Sequence, residues 1–161
     1  MAIAVGDRIP DVKVMTLTDE GPKPVQTGEA LGKGKVVLFA VPGAFTPTCS
    51  DHHLPGFVIR ADDLKAKGVD TIACIAVNDA WVMGAWGKSQ GAGDILMLAD
   101  GNADFADAMG LGADLGAFGL GRRSQRYAAV LDDGVVAAIG VEEGPGLKAS
   151  SAEAILDSLK G

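Results

Sequence analysis

The chain is poor in cysteine and in aromatic residues, and it lacks a long apolar run. Two of its 161 residues are cysteine and 5% are aromatic, so the core must be built mainly from Val, Ile, Leu and Ala. No apolar run approaches the roughly 20 residues that a membrane-spanning helix needs, and the first residues lack the basic and apolar segments of a secretory signal. Two cysteines without such a signal indicate a reducing compartment, and we expect a cytoplasmic protein.

Basic residues are also scarce. The sequence has 14 Lys and Arg residues against 21 Asp and Glu residues, which gives a formal net charge of −7 at pH 7. Nucleic acids and anionic membranes both require a basic surface, so neither is expected as a partner. Hydrophobic residues make up 48% of the chain, which excludes a disordered protein and predicts one folded domain over residues 1–161.

Apolar runs and turn residues predict an α/β fold. Strands are expected at residues 12–17, 35–41, 71–77, 95–98, 126–131 and 135–139. Helices are expected at residues 47–67 with an interruption at 55–56, at 79–89 with Asn78 as the cap, at 103–109, and from 150 or 151 to 159. The rest of residues 1–34 and all of residues 110–121 are predicted to be loops. Helical crossovers imply parallel strand pairs, and the late hairpin adds an antiparallel pair.

One cysteine lies where a sulfur nucleophile is expected. Cys49 follows the apolar strand at residues 35–41 after a short turn, and Thr46 and Pro47 have the residue types of an N-cap and a first helical position. Unpaired backbone N–H groups and the positive end of the helix dipole favour an anion in the first helical turn. This position therefore favours the thiolate form of Cys49, at the strand end where open α/β sheets commonly place their sites.

Several neighbours of Cys49 could assist a nucleophile. The hydroxyl of Thr46 can point at the sulfur, and the backbone N–H groups of Thr48 and Cys49 can face the same pocket. Pro42 and Pro47 can shield that pocket from water. A cation is also needed to stabilise developing negative charge, and the residues alone leave three candidates open, which are Arg122, Arg123 and Arg126.

Two histidines and a second cysteine allow other interpretations. His52 and His53 follow Cys49 by three and four residues, so a Cys–His catalytic pair or a metal site is conceivable. A structural zinc needs four ligands, and Cys74 lies within a predicted strand, where a buried packing role is expected. A hydrogen-bonding role for His53 is the favoured interpretation.

The pattern Pro42-x-x-x-Thr46-x-x-Cys49 resembles the active-site signature of the peroxiredoxins, thiol peroxidases with a thioredoxin-like fold. The longer run at residues 42–50, continued at 53–57, resembles the type II or peroxiredoxin-five-like subfamily. The resemblance extends from residue 3 to residue 159. It implies a thioredoxin-like α/β fold in which a central mixed sheet is flanked by helices.

The resemblance also implies roles for individual residues. Cys49 would be the peroxidatic cysteine, which attacks the peroxide, and Thr46 and Arg126 would position the peroxide and stabilise charge. Pro42 would shield the site, and no metal, flavin or haem would be needed. Arg126 is preferred among the arginines because Arg126-Tyr127 matches the family's strand position. Three further residues would line or support the substrate site, namely Thr48, His53 and Phe45.

Resolution of the oxidised cysteine is expected to require a partner. Animal members of the subfamily carry a resolving cysteine in the C-terminal segment, whereas Ala149 occupies the matching position here. The resemblance therefore implies an external thiol, either glutaredoxin with glutathione or thioredoxin. Phe45 and the Gly-rich segment near Phe118 resemble interface positions of the family, so a homodimer is expected.

Three other functions remain open at this point. The same cysteine could serve a peroxide sensor or a chaperone that turns over poorly with any thiol donor. The chain could instead be a non-catalytic thioredoxin-like binding module in which Cys49 is inert, or a Cys–His hydrolase that needs no peroxide.

Overall fold

A seven-stranded mixed sheet forms the centre of the computed structural model, which describes residues 1–144 and 146–159. Its strands are β1 (Lys13–Thr18), β2 (Gly21–Gln26), β3 (Lys35–Ala40), β4 (Thr71–Ala76), β5 (Leu96–Ala99), β8 (Tyr127–Asp132) and β9 (Val135–Val141). A separate two-stranded sheet pairs β6 (Gly112–Asp114) with β7 (Arg122–Ser124). The domain predicted over residues 1–161 also includes residues 145, 160 and 161, which lie outside the described residues.

The strand order in the large sheet is β2-β1-β5-β4-β3-β8-β9. The central strands β3, β4 and β5 are parallel, and the remaining pairs are antiparallel. Helices flank this sheet, namely α1 (Thr27–Ala30), α2 (Leu54–Ile59), α3 (Ala61–Ala66), α4 (Ala80–Ser89), α5 (Asp104–Ala108) and α6 (Ala152–Ser158). The prediction of an α/β fold with a central mixed sheet flanked by helices is confirmed.

The central strands are buried on both faces, which explains why they are continuously apolar in sequence. Along β3, Val37 and Phe39 belong to one core cluster, while Val36 and Leu38 belong to the other. This alternation follows from the two-residue period of a strand. The first cluster includes buried residues of α2, α3, α4 and α6, and the second includes Phe105 of α5. Cys49 lies in the first cluster.

The predicted break at residues 55–56 is wrong. The helical segment instead contains a π-helical turn, Cys49–His53, followed directly by α2, and it breaks at Arg60 between α2 and α3. Pro55 stands in the first turn of α2. Proline lacks an N–H and crowds the carbonyl four residues earlier, and the wider turn that precedes it accommodates both effects.

Two segments predicted as loops contain regular structure. Residues 1–34 include the edge strand β2, which contains Pro22 and Pro24. An edge strand tolerates proline, but proline is not typical of strands, so the sequence did not predict β2. Residues 110–121 include β6 and a 3₁₀ turn at Gly116–Phe118. Their glycines obscured the pairing of β6 with β7, which depends on contacts between the two short strands rather than on local preference.

The cap of α4 is also corrected. Asp79, not Asn78, is the N-cap, because the carboxylate of Asp79 accepts a hydrogen bond from the N–H of Val82 at 2.8 Å. The side-chain oxygen of Asn78 instead accepts from the N–H of Ala44 at 3.0 Å. Asn78 thus ties the end of β4 to the loop that precedes Cys49.

Phe57 is predicted to be a major contributor to stability. Its ring is fully buried and stacks on that of Phe39, with centroids 4.1 Å apart and an interplanar angle of 8°. Phe57→Ala should lower the free energy of unfolding by about 3–5 kcal/mol, measured by urea denaturation. Ile59→Ala is the control, because this side chain is 76% exposed and should change stability by less than about 0.5 kcal/mol. Equal effects of the two substitutions would contradict this account.

Candidate active site

The sulfur of Cys49 lies at the start of the helical segment that follows β3. The residues between β3 and the first helical residue, Pro47, form a loop, and Cys49 begins the π-helical turn. The side chain of Cys49 is fully buried. Two polar groups contact its Sγ atom: the hydroxyl of Thr46 at 3.0 Å and the Nη2 atom of Arg126 at 2.9 Å. The structure thus brings together three of the residues that the sequence singled out.

The hydroxyl of Thr46 has two partners for one hydrogen. It lies 2.6 Å from the carbonyl oxygen of Gly43 and 3.0 Å from Sγ of Cys49. It can donate to a thiolate or, while it donates to the carbonyl, accept from a thiol or a bound peroxide. Thr46 stands at the N-cap position, as predicted, because its carbonyl accepts the first helical hydrogen bond, from the N–H of Ser50 at 2.9 Å. Its hydroxyl contacts the carbonyl of Gly43 and the sulfur of Cys49.

The sheet register explains the position of Arg126. Strand β8 runs antiparallel to β3, with Tyr127 opposite Ala40. Arg126 therefore stands just before β8 and beside the carboxyl end of β3, where the loop to Cys49 begins. Its guanidinium reaches both Sγ of Cys49, at 2.9 Å, and Nδ1 of His53, at 2.8 Å. A planar guanidinium is suited to two such directed contacts.

The other two candidate arginines have different partners. Arg122 forms an ion pair with the carboxylate of Asp107. Arg123 donates to the backbone carbonyls of Leu120, at 2.9 Å, and Pro42, at 3.4 Å. Arg123 therefore links the segment around Leu120 to the loop before Cys49, and Arg126 is the arginine that contacts the sulfur.

His53 is held neutral in this environment. The ring is buried, and burial together with the nearby charge of Arg126 lowers the pKa of His53 from 6.5 to about 3. Its Nε2 atom lies 2.9 Å from the carbonyl oxygen of Ser150, which can only accept, so Nε2 carries the hydrogen. The lone pair of Nδ1 then accepts from Arg126. Both ring nitrogens are thereby engaged away from the sulfur, which does not support a Cys–His hydrolase.

A cavity of about 440 Å³ adjoins this group, and Pro42, Thr48 and Arg126 are among its lining residues. Phe45 is not part of that lining; its side chain is 55% exposed. The structure therefore does not bring Phe45 to the cavity wall, whereas Pro42, Thr48 and Arg126 line it. Its backbone adopts a left-handed conformation, with φ of 66°, which is unfavourable for a bulky residue and shapes the turn before Thr46.

Sequence reasoning missed one support of the helix that begins at Cys49. The indole Nε1–H of the buried Trp86 donates to the hydroxyl of Ser50 at 2.9 Å. A tryptophan in a predicted amphipathic helix is normally interpreted as a packing residue, so the sequence carried no signal for this contact. It holds the residue next to Cys49 against α4.

Cys74 shares the core with Cys49 but has different surroundings. It lies in β4, is fully buried and is free, as is Cys49. Burial, followed by the proximity of Cys49, raises the pKa of the Cys74 thiol well above its usual value, so this cysteine stays protonated.

Within residues 1–144 and 146–159, no group of three or more His, Cys, Asp or Glu side chains is arranged to hold a metal ion. None of the helices in these residues has the length and apolar character to cross a membrane.

Comparisons with known proteins agree with one another. The redoxin family model matches residues 4–156. The chain is 52% identical to peroxiredoxin-2E-2, chloroplastic, of Oryza sativa subsp. japonica, over 98% of this chain and 72% of that protein. It is similar to reduced Prx3 of Vibrio vulnificus in complex with H2O2, with a TM-score of 0.94, 53% identity and coverage of 98% and 99% of the two chains. It is also similar to peroxiredoxin 5 of Alvinella pompejana, with a TM-score of 0.86, 36% identity and 98% coverage of each chain.

The neutral His53 predicts a pH dependence of stability. In the unfolded chain the imidazole titrates near 6.5, whereas in the folded protein its pKa is about 3. Below pH 6.5 the unfolded state gains a proton that the folded state does not, so the free energy of unfolding should fall as the pH decreases. The slope approaches about 1.4 kcal/mol per pH unit.

His53→Gln should remove this slope between pH 6.5 and pH 5, as measured by urea denaturation at several pH values. His52→Gln is the matched control, because His52 is exposed. Glu142 contributes mainly below this window, because its reference value is 4.5 and its pKa in the folded protein is lower still. Burial raises the pKa of Asp100, but Asp100 is present in all the proteins compared. An unchanged slope in His53→Gln would show that His53 is not the group responsible.

Proposed function

The chain belongs to the redoxin family and is a peroxiredoxin, a thiol-dependent peroxidase, and we propose that Cys49 is the residue that attacks the peroxide. The observation that carries this proposal is the 2.9 Å contact between Nη2 of Arg126 and the buried sulfur of Cys49. Thr46 contacts the same sulfur from another direction. A cation and a hydroxyl directed at one sulfur would stabilise a thiolate and the charge that develops when it reacts.

The reaction that fits this site is a two-electron reduction of a hydroperoxide. The Cys49 thiolate attacks the terminal oxygen, so an S–O bond forms and the O–O bond breaks. The sulfur becomes a sulfenic acid, and the leaving oxygen takes a proton to give water or an alcohol. Arg126 and Thr46 hold the peroxide and stabilise the leaving oxygen, while Pro42 shields the sulfur from water.

Hydrogen peroxide and small organic hydroperoxides are the proposed substrates. The similar Vibrio vulnificus protein is described in complex with H2O2, which supports hydrogen peroxide here. The adjoining cavity of about 440 Å³ offers room for the alkyl group of an organic hydroperoxide. Thr48 and His53 support this site, Thr48 from the cavity wall and His53 through Arg126.

The proposed reductant is an external thiol, from glutaredoxin with glutathione or from thioredoxin. Ala149 stands where a resolving cysteine would be expected, and Cys74 is fixed within β4. An incoming thiol would form a mixed disulfide with Cys49 and release water, and a second thiol would then restore Cys49. Because Cys49 is buried, the helical turn at residues 49–53 must open for this exchange.

A homodimer and a cytoplasmic location complete the proposal. Phe45 and Phe118 are 55% and 78% exposed, and the contacts of Arg123 with Pro42 and Leu120 hold their two segments together. Exposed aromatic residues next to a site are typical of a protein interface. A reducing cytoplasm suits two free thiols, and cell fractionation would test it.

Substitution of each cysteine separates the proposed nucleophile from its neighbour. Cys49→Ser should reduce peroxide consumption to background, because a hydroxyl is not ionised at neutral pH, whereas Cys74→Ser should retain most of the activity. Intact mass spectrometry after one equivalent of hydrogen peroxide should find a single oxygen on Cys49. Persistent turnover in Cys49→Ser would refute the assignment.

The same preparation identifies the reductant. Addition of glutathione to the sulfenylated protein should give one glutathione adduct on Cys49, which glutaredoxin then removes in a coupled assay; thioredoxin is tested in parallel. Rapid oxidation without reduction by any of these thiols would favour the peroxide sensor. No rapid oxidation at all would favour a thioredoxin-like binding module.

Phe118→Asp should weaken the proposed dimer, because a carboxylate would be buried at the interface. Sedimentation velocity at micromolar concentration should find a dimer for the unaltered chain and a shift toward monomer for the variant. Ile59→Asp is the control, because Ile59 is similarly exposed but lies on α2. A monomeric unaltered chain would rule out the dimer.

A further inference from the structure

A single carboxylate oxygen organises the segment that follows β9. Oε2 of Glu142 accepts hydrogen bonds from the backbone N–H of Lys148 at 2.9 Å, and from the N–H and the hydroxyl of Ser150 at 2.8 and 2.7 Å. Burial of Glu142 acts to raise its pKa, but these hydrogen bonds outweigh it and hold the pKa below the usual value. Glu142 is therefore a carboxylate at neutral pH and can hold all three donors.

The segment that Glu142 holds is packed tightly against the sheet. Ser150 is fully buried. Gly140, in β9, faces the carbonyl of Ala149 so closely that a Cβ atom on Gly140 would collide with it. The carbonyl of Ser150 is therefore presented from a fixed position, and it accepts the Nε2–H of His53 at 2.9 Å.

The hydrogen bonds continue from His53 to the sulfur. The ring of His53 is buried beside those of Phe39 and Phe57, with centroid distances of 5.0 and 5.6 Å. Its Nε2–H is committed to Ser150, so Nδ1 presents a lone pair to Nη1 of Arg126. The same guanidinium contacts Cys49 through Nη2.

Glu142 also holds the backbone of Arg126. Its N–H donates to the carbonyl of Arg126 at 2.9 Å, which extends the pairing of β8 with β9 by one residue. Glu142 thus constrains Arg126 in two ways. It bonds directly to the Arg126 backbone, and it is connected to the guanidinium through Ser150 and His53.

We propose that Glu142 is a positioning residue for the peroxidase reaction, which acts through Ser150 and His53 to direct the guanidinium of Arg126 at the Cys49 sulfur. The inference rests on the proposed function of Cys49. Glu142 does not contact the sulfur. Its carboxylate fixes the Ser150 carbonyl, the carbonyl fixes the tautomer and orientation of His53, and His53 fixes one side of the guanidinium.

Glu142→Leu tests this role because leucine has a similar volume and accepts no hydrogen bond. The second-order rate constant for sulfenylation of Cys49 by hydrogen peroxide, measured by stopped flow, should fall by about 10- to 100-fold, as expected when a reacting group is misplaced by about 1 Å. The pH profile for alkylation of Cys49 by iodoacetamide should move to higher pH, because a displaced Arg126 stabilises the thiolate less. Glu142→Gln, which keeps an acceptor oxygen at the same reach, should retain more of the rate than Glu142→Leu.

A spectroscopic signature separates positioning from general destabilisation. Nitrogen-15 NMR of the labelled imidazole should find Nε2 protonated and Nδ1 unprotonated in the unaltered protein, with this pattern weakened in Glu142→Leu. Glu153→Leu is the matched control: Glu153 is exposed on α6, where it pairs with Arg60 at 3.6 Å, and neither readout should change. A Glu142→Leu protein with a rate within twofold of the unaltered protein, or with an unchanged His53 spectrum, would overturn the proposal.

Glu142→Asp keeps the test decisive if the leucine variant does not fold. The shorter side chain retains the charge but withdraws it from the N–H groups of Lys148 and Ser150, so the rate and the His53 spectrum should both change in the same direction. Two unchanged readouts would overturn the role of Glu142. If the unaltered protein is not sulfenylated at Cys49, the proposed function is refuted. This outcome is distinct from failure of the positioning role of Glu142, which is judged only from the variants.

Discussion

The contact between the Arg126 guanidinium and the Cys49 sulfur is the interaction on which the rest of the site depends. Arg126 is half-buried, and removing part of a cation's hydration is costly unless an anion or several acceptors compensate it. Among the ion pairs in the described part of the chain, none involves Arg126. A Cys49 thiolate, 2.9 Å away, is therefore the anion best placed to balance this charge, and the stability of the arginine and the reactivity of the sulfur are coupled.

This coupling explains why His53 must be neutral. A protonated imidazole 2.8 Å from Arg126 would place a buried cation beside the half-buried guanidinium, and its Nδ1 would no longer accept from the guanidinium. Burial and the charge of Arg126 both oppose protonation. A histidine next to a reactive cysteine is commonly interpreted as a general base, but here its geometry makes it a hydrogen-bond acceptor that orients the arginine.

The parts of the site that follow from local rules could be predicted from the sequence. Apolar runs located β3 and β4, and the spacing of Thr46 and Cys49 on one helical turn brought the hydroxyl to the sulfur. The choice of Arg126 needed the resemblance to a family, because the register of β8 against β3 decides which arginine arrives at the loop. The role of Asn78 was misassigned for a similar reason: a local cap signal competed with a contact to Ala44, 34 residues away.

Features that depend on non-local pairing left no trace in sequence patterns. The edge strand β2 contains two prolines, and the π-helical turn at residues 49–53 has no residue signature of its own. The contacts of Glu142 depend on a return of the chain six to eight residues later. The sequence does not distinguish Glu142 from its neighbour Glu143. The fold of the packed segment decides that Glu142 accepts hydrogen bonds from the backbone N–H groups of Lys148 and Ser150.

The same packed segment bears on how the oxidised cysteine is resolved. Residue 149 lies between two residues whose N–H groups both bond to Glu142, and the carbonyl of Ser150 holds His53. A cysteine at position 149 would stand in this fixed segment, and movement of the segment would remove the Ser150 carbonyl from His53, which contacts Arg126. With alanine at this position the segment can remain in place through the cycle. In the proposed cycle, opening can then be confined to the turn at residues 49–53, where the external thiol would reach Cys49.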